Sequence, residues 1–135
     1  YKIKKKILNF KNIIIAEKRL LNLLKQNKIQ FICLAGFMKI LSSKFIKQFN
    51  GKIINIHPSL LPRYKGLNTH SRAIQNKDKF TGCSVHYVTE QLDSGKIILQ
   101  KKIKILKKDT PKSLAKKVLK QEHKLYPKAI LKIFN

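Results

Sequence analysis

The distribution of apolar and polar residues along the chain predicts four helices and four strands. Leucines spaced on one face indicate a helix over residues 16–28, and short continuous apolar stretches indicate buried strands at 30–35 and 52–56. Amphipathic stretches predict short helices at 43–49 and 68–76, and strands follow at 82–88 and 96–106. Thr110 is expected to cap a long final helix, with Pro111 in its first turn and a kink at Pro127.

The order of these elements predicts an α/β fold with a mostly parallel sheet flanked by helices. Sheets of this kind bind ligands beside the carboxyl ends of their strands. That rule directs attention to the residues that follow Ala35, Ile56 and Val88.

The size and composition of the chain predict a single globular domain over residues 1–135. The 43% hydrophobic and 27% charged fractions are typical of such domains, and no apolar stretch is long enough to cross a bilayer. No secretion signal is visible, which favours a cytoplasmic protein without a membrane partner. Cys33 and Cys83 are interpreted as two small core residues in a reducing compartment, with one bridge between them as the alternative.

The net charge of +25 raises the question of nucleic-acid binding. Only Arg19, Arg63 and Arg72 are arginines among the 31 cationic residues, whereas proteins that read bases favour arginine. The lysines are spread along the whole chain, and abundant Lys, Ile and Asn point to A/T-rich codons. The charge therefore predicts attraction of anionic ligands and no specific nucleic-acid partner.

Three polar residues near the predicted strand ends form a candidate catalytic group. Asn55 and His57 point to the same side of a strand, and Asp93 lies in the loop that follows residue 88. The alternatives are that His57 is a buried histidine that hydrogen-bonds to the backbone, and that Asp93 is an ordinary turn residue. No metal-binding spacing, serine elbow or activated thiol is present in the sequence, so an amide, an imidazole and a carboxylate suit acyl transfer to an amine.

Four long motifs in order resemble the glycinamide ribonucleotide formyltransferases, a group of folate-dependent formyltransferases in purine synthesis. The motifs are LAGFMKIL at 34–41, NIHPSLLPRYKGLNTH at 55–70, GCSVHYVTEQLDSGKIILQ at 82–100 and QEHKLYP at 121–127. The resemblance implies a Rossmann-like formyltransferase fold with a C-terminal antiparallel strand and a long helix. It also implies 10-formyltetrahydrofolate as cosubstrate, glycinamide ribonucleotide as the other substrate, no metal, and a monomer or homodimer.

The resemblance implies a role for each matching residue. Asn55, His57 and Asp93 match the catalytic residues, Glu122 matches a ribonucleotide-binding carboxylate, and Ser84 and His86 match supporting positions that line the site. The Leu61–Pro62 bond matches a cis proline. The folate-binding positions are Met38, Lys39, Ile40, Leu41, Asn55, Thr89, Glu90, Gln91, Leu92 and Asp93.

The start of the chain departs from the family pattern. The family begins with a strand and a glycine-rich phosphate loop, whereas residues 1–6 resemble the middle of a connecting segment, so the sequence predicts an N-terminally truncated domain. Three alternatives stay open: a relative of methionyl-tRNA formyltransferase, a formyltetrahydrofolate hydrolase, and a noncatalytic or decayed basic binding module.

Overall fold

A computed structural model describes residues 3–135, so Tyr1 and Lys2 of the basic start lie outside the described part. Residues 3–135 contain four helices and four strands in the predicted order. They are α1 (Ile13–Gln26), β1 (Phe31–Leu34), α2 (Ser43–Gln48), β2 (Lys52–His57), α3 (Thr69–Gln75), β3 (Phe80–Tyr87), β4 (Ile97–Lys104) and α4 (Pro111–Phe134).

Side-chain caps fix where three of the helices begin. The Asn12 side chain accepts a hydrogen bond from the Ile15 amide at the start of α1, and Ser42 does the same for Phe45 at the start of α2. Thr110 and Ser113 form a reciprocal capping box at the start of α4. The predicted Thr110 cap is confirmed, and α4 continues through Pro127 to Phe134.

The four strands form one mixed sheet in the order β1-β2-β3-β4. The β1–β2 pair is parallel, whereas β2–β3 and β3–β4 are antiparallel. Helix α3, between β2 and β3, has seven residues and is only about 10 Å long. It does not return the chain to the start of β2, so β3 begins beside the end of β2.

This topology confirms the α/β class, the flanking helices, the antiparallel final strand and the long C-terminal helix. Antiparallel pairing was expected only at the final strand, but it already begins at β3. The carboxyl ends of β2 and β3 therefore point in opposite directions. The loop after β3 must turn back along β2 before Asp93 can reach His57.

Each face of the sheet has its own apolar core. One core packs α4 against the sheet and contains Ile54, Cys83, Val85, Leu114, Val118, Leu125 and Ala129. The other contains Leu41, Phe45, Phe49 and Ile53, with leucines of α1 packed against it. The Tyr126 hydroxyl of α4 donates to the Leu34 carbonyl at 2.8 Å and so joins the long helix to β1.

Strand β1 is the edge strand of the described sheet, which corrects two expectations. Its residues were expected to be buried on both faces, but Phe31, Ile32 and Leu34 are half-buried and Cys33 is exposed. Only Cys83 is the buried core cysteine that the sequence suggested. The reason is positional, because β1 has a paired neighbour on one side only.

Replacing Leu114 by alanine should destabilise the protein by about 2–5 kcal/mol, because it opens a cavity between α4 and the sheet. Leu131→Ala on the same helix is the matched control, since Leu131 is 60% exposed and Leu114 is 0% exposed. Urea unfolding followed by circular dichroism measures both changes. Equal losses for the two variants would contradict the assignment of this core.

Candidate active site

Strand β2 places Asn55 and His57 on the same face of the sheet, as their spacing predicts. The antiparallel register sets His86 opposite Asn55 and Ser84 opposite His57. Directly opposite residues share a face, so four polar side chains lie together there. His57, Ser84 and His86 are buried and Asn55 is half-buried.

Asp93 reaches His57 because the loop after β3 folds back over the sheet. Strand β3 ends beside the start of β2, where the Val88 amide donates to the Ile53 carbonyl at 2.8 Å. From there the loop returns about 13 Å along β2, the length of four strand residues from Ile53 to His57. An Asp93 carboxylate oxygen lies 3.4 Å from His57 Nδ1, and the side chains are 8% and 7% exposed.

Both ring nitrogens of His57 face acceptors. Nε2 lies 2.9 Å from the Tyr64 carbonyl oxygen, which accepts only, so Nε2 carries a hydrogen and donates. Nδ1 faces the Asp93 carboxylate, whose oxygens accept hydrogen bonds. Asp93 is itself fixed by the Gly66 amide, which donates to its Oδ2 at 2.9 Å.

His86 holds the amide of Asn55 in one orientation. His86 Nδ1 donates to the Tyr87 carbonyl at 2.8 Å, which leaves Nε2 as an acceptor for Asn55 Nδ2 at 3.4 Å. Burial lowers the pKa of His86; the Tyr87 carbonyl and Asp93 oppose this, and His57 adds to it. The lowered pKa favours the neutral ring, whose Nε2 accepts from the Asn55 Nδ2 group. The Asn55 oxygen therefore points away from His86.

These polar groups lie in a cavity of about 640 Å³ between the loops and α4. Volumes of this size are typical of small-molecule sites. Four apolar side chains that line the cavity are largely exposed to solvent, although apolar surface of this kind is usually covered. They are Met38, Ile40, Leu67 and Leu92, at 71%, 63%, 62% and 48% exposure.

The cavity brings together nearly all the residues that the sequence singled out. Those lining it are Met38, Lys39, Ile40, Leu41, Asn55, His57, His86, Thr89, Glu90, Gln91, Leu92, Asp93 and Glu122. Their chemical roles stay predictions, because position alone does not assign them.

Ser84 is the one predicted site residue that does not line the cavity. It is fully buried behind His57, where its hydroxyl donates to the Ser59 carbonyl at 2.6 Å and accepts from the Leu61 amide at 3.1 Å. It lies outside the cavity because these bonds tie it to the loop around the Leu61–Pro62 peptide, which is cis as the resemblance implied. Its contacts support that loop.

Glu122 lies on the α4 wall of the cavity. Burial raises the pKa of its carboxyl group, and His123 partly opposes the shift. Burial and the charge of Glu122 raise the pKa of the Cys83 thiol to about 12, and Lys101 opposes this shift. A thiol with this pKa is a poor nucleophile.

Sequence reasoning missed three contributors to the site. The Tyr64 carbonyl and the Gly66 amide contact His57 and Asp93, and backbone groups of this kind leave no signature in the residue types. His70 also lines the cavity, and its buried Nδ1 has no hydrogen-bond partner. Burial and the neighbouring His57 lower the pKa of His70. Its place in the LNTH segment, at the end of the second motif, was the available signal.

Residues 3–135 contain no cluster of three or more His, Cys, Asp or Glu side chains arranged to hold a metal ion. Over the same range, no helix combines the length and the apolar character that a membrane span requires.

The formyl transferase family model matches residues 3–130 of the chain. The chain is 43% identical over 122 residues to phosphoribosylglycinamide formyltransferase of Haemophilus influenzae, covering 90% of this chain and 58% of that protein. It is 47% identical over 107 residues to the human trifunctional purine biosynthetic protein adenosine-3, covering 79% of this chain and 11% of that protein.

A crystal structure of phosphoribosylglycinamide formyltransferase from Brucella melitensis is similar to the fold, with a TM-score of 0.82 and 47% identity. The match covers 92% of this chain and 63% of that one. The chain therefore spans little more than half the length of the Haemophilus influenzae relative and a small part of the human protein.

Acidification should destabilise the protein partly through His86. Its pKa is lower in the folded state than the ordinary value of 6.5, so its contribution to stability is present above that pH and is lost as the pH falls towards the folded-state value. The free energy of unfolding of His86→Gln should therefore fall less than that of the wild type between about pH 7.5 and about pH 5. Urea unfolding at both pH values measures the difference.

His123→Gln is the control for this measurement, because His123 is exposed and stays in solvent. This variant should change the pH dependence less than His86→Gln does. The same pH dependence in His86→Gln as in the wild type would contradict the assignment of a neutral, buried imidazole.

Proposed function

This chain belongs to the formyl transferase family, and we propose that it carries the catalytic site of an enzyme that transfers a formyl group from 10-formyltetrahydrofolate to the amine of glycinamide ribonucleotide. The observation that carries the proposal is the convergence of Asn55 and His57, from one strand, with Asp93, from a loop distant in sequence, in one cavity. The names of the relatives support the choice of both the reaction and the ribonucleotide.

The apolar end of the cavity suits the flat ring of a folate. Met38, Ile40 and Leu92 offer exposed apolar surface that a bound ring would cover. The 89–93 loop offers backbone and amide groups that can hydrogen-bond to the edge of a heteroaromatic ring. Asn55 lines the same cavity, and a folate bound on this apolar surface would carry its formyl group to the polar residues.

The amide and the imidazole are placed to stabilise negative charge on the formyl oxygen. As the substrate amine attacks the formyl carbon, a C–N bond forms and the oxygen becomes an oxyanion. The Asn55 amide and the His57 Nδ1–H are the donors. Nε2 is bonded to the Tyr64 carbonyl, and Nδ1 lies 3.4 Å from an Asp93 oxygen, so the formyl oxygen shares the Nδ1 hydrogen with that carboxylate.

Asp93 completes the proton transfer. Its carboxylate, 3.4 Å from His57 Nδ1, accepts a proton from the attacking amine, directly or through one water. When the tetrahedral species collapses, the bond from carbon to the folate nitrogen breaks and that nitrogen takes up a proton. The products are the formylated amine and tetrahydrofolate, with no net proton or electron change.

Glu122 is the candidate for binding the amine substrate. It lies on the α4 wall of the same cavity as the catalytic residues, and a hydroxyl-rich or amine-bearing substrate offers the donors that a half-buried carboxylate requires. Among the positively charged residues, Lys39 lines the cavity, and the overall charge of +25 favours the approach of an anionic nucleotide.

In the whole protein, His57→Ala should lower kcat by about 10²–10⁴-fold and Asn55→Ala by about 10²–10³-fold. Both variants remove an oxyanion donor, so KM should change much less than kcat. Transfer is measured as formation of formylated ribonucleotide from 10-formyltetrahydrofolate. His123→Ala is the matched control, because this exposed histidine should have no effect on kcat.

Other acceptors and reactions are the informative outcomes of the same assay. Formate release without a formylated amine would indicate hydrolysis, and formylation of charged tRNA would indicate the tRNA-directed relative. Wild-type transfer that survives His57→Ala at full rate would refute the proposed catalytic role.

Glu122→Gln should raise KM for the ribonucleotide by about 10-fold or more, because a charged hydrogen bond is replaced by a weaker neutral one. KM for the formyl folate should stay within about twofold, because Glu122 lies on the α4 wall and the folate positions lie on the loops. Steady-state kinetics with each substrate varied separately tests this. An equal rise in both KM values would contradict a role confined to the amine substrate.

A further inference from the structure

Residues 63–68 form a loop that holds two catalytic side chains through its backbone. The Tyr64 carbonyl accepts from His57 Nε2 at 2.9 Å, and the Gly66 amide donates to Asp93 Oδ2 at 2.9 Å. One short segment therefore fixes the imidazole from one side and the carboxylate from the other. Any movement of this loop changes the positions of both groups together.

The backbone of this loop adopts unusual angles. Tyr64, Gly66 and Asn68 have φ of 54°, 76° and 58°, in the left-handed region. Glycine adopts this region freely, but a bulky aromatic residue such as Tyr64 does not. A tyrosine keeps such a conformation only when its surroundings hold it there, so the contacts of its side chain become important.

The Tyr64 side chain is held by a group of polar residues around α3. Its hydroxyl donates to Asp78 Oδ2 at 2.6 Å and accepts from Asn76 Nδ2 at 2.9 Å. Arg63 donates to the other Asp78 oxygen at 2.9 Å, and the Asp78 side chain is only 10% exposed. We call Arg63, Tyr64, Arg72, Asn76 and Asp78 the tyrosine clamp.

Arg72 connects the clamp to the rest of the loop. Its guanidinium lies 5.0 Å from the centre of the Tyr64 ring, a distance typical of a cation–π contact. It also donates to the carbonyls of Lys65 and Leu67 at 2.7 and 3.3 Å. The loop is therefore bound to α3 at its tyrosine ring and at two carbonyl groups.

We propose that the tyrosine clamp is a positioning device for the reaction, with Tyr64 and Asp78 as positioning residues that act through the loop backbone on His57. By holding the Tyr64 carbonyl against Nε2, the clamp keeps the ring hydrogen on Nε2 fixed and leaves Nδ1 facing Asp93, which also lines the cavity. This inference deepens the proposed formyl transfer and rests on it.

The test uses Tyr64→Phe and Asp78→Asn in the whole protein, because both keep the size of the side chain. Phenylalanine removes the hydroxyl that donates to Asp78, and asparagine removes the charge and one of the two acceptor oxygens that Tyr64 and Arg63 use. Each should lower kcat by about 10-fold or more, with KM for both substrates within about twofold. The ring nitrogens of His57, observed by ¹⁵N NMR and assigned by comparison with His57→Ala, should shift because Nε2 loses a fixed acceptor.

Asp109→Asn is the matched control. Asp109 is also a buried carboxylate, since its side chain is 3% exposed and it pairs with Lys117 at 2.6 Å, but it lies outside the cavity. This variant should lose stability without changing kcat or the His57 nitrogen shifts. A clamp variant that behaves like Asp109→Asn would overturn the proposal.

The remaining outcomes are also decisive. A change in the His57 nitrogen shifts without a loss of kcat would show that the clamp holds the ring without serving the reaction, and so would overturn its role. A wild-type protein without formyl transfer would refute the proposed function, whereas the NMR comparison would still decide whether the clamp orients His57.

Discussion

The contact between Asp93 and His57 is the constraint on which the site depends. His57 lies at the carboxyl end of β2, whereas Asp93 follows the carboxyl end of β3, which points the opposite way. The chain brings them together by folding the 88–96 segment back over the sheet and by anchoring Asp93 to the Gly66 amide. The path of the loop, and not the order of the strands, therefore places the carboxylate next to the imidazole in the cavity.

The sequence predicted the elements well because their signals are local. Spaced leucines, the Thr110 cap and short apolar stretches depend on neighbours in the chain, and α4 and β2 lie where these patterns place them. The direction of β3 and the exposure of Cys33 depend on what pairs with each strand, which a single sequence does not state. The rule that ligands bind at the carboxyl ends of strands correctly pointed to the loop that contains Asp93. It assumed that β3 runs parallel to β2, which is wrong.

The site itself was predictable where side chains carry the chemistry and unpredictable where the backbone does. Asn55, His57 and Asp93 were visible as residue types at loop and strand ends, and Glu122 through a motif. The Tyr64 carbonyl could not be found this way, because every residue has a carbonyl and only the left-handed turn aims this one at His57. Ser84 was placed in the wall of the site, although it supports the loop behind it.

The return path of the 88–96 segment has a consequence for how this chain tolerates changes in length. Strand β4 pairs with β3 on the side away from β2, and the segment that joins the two strands lies outside this pairing, so a change in its length leaves the pairing in place. The carboxylate has no such freedom, since its reach over the strand is set by the number of residues between Val88 and Asp93. One inserted or deleted residue there would leave a folded molecule whose acid is out of register with its imidazole.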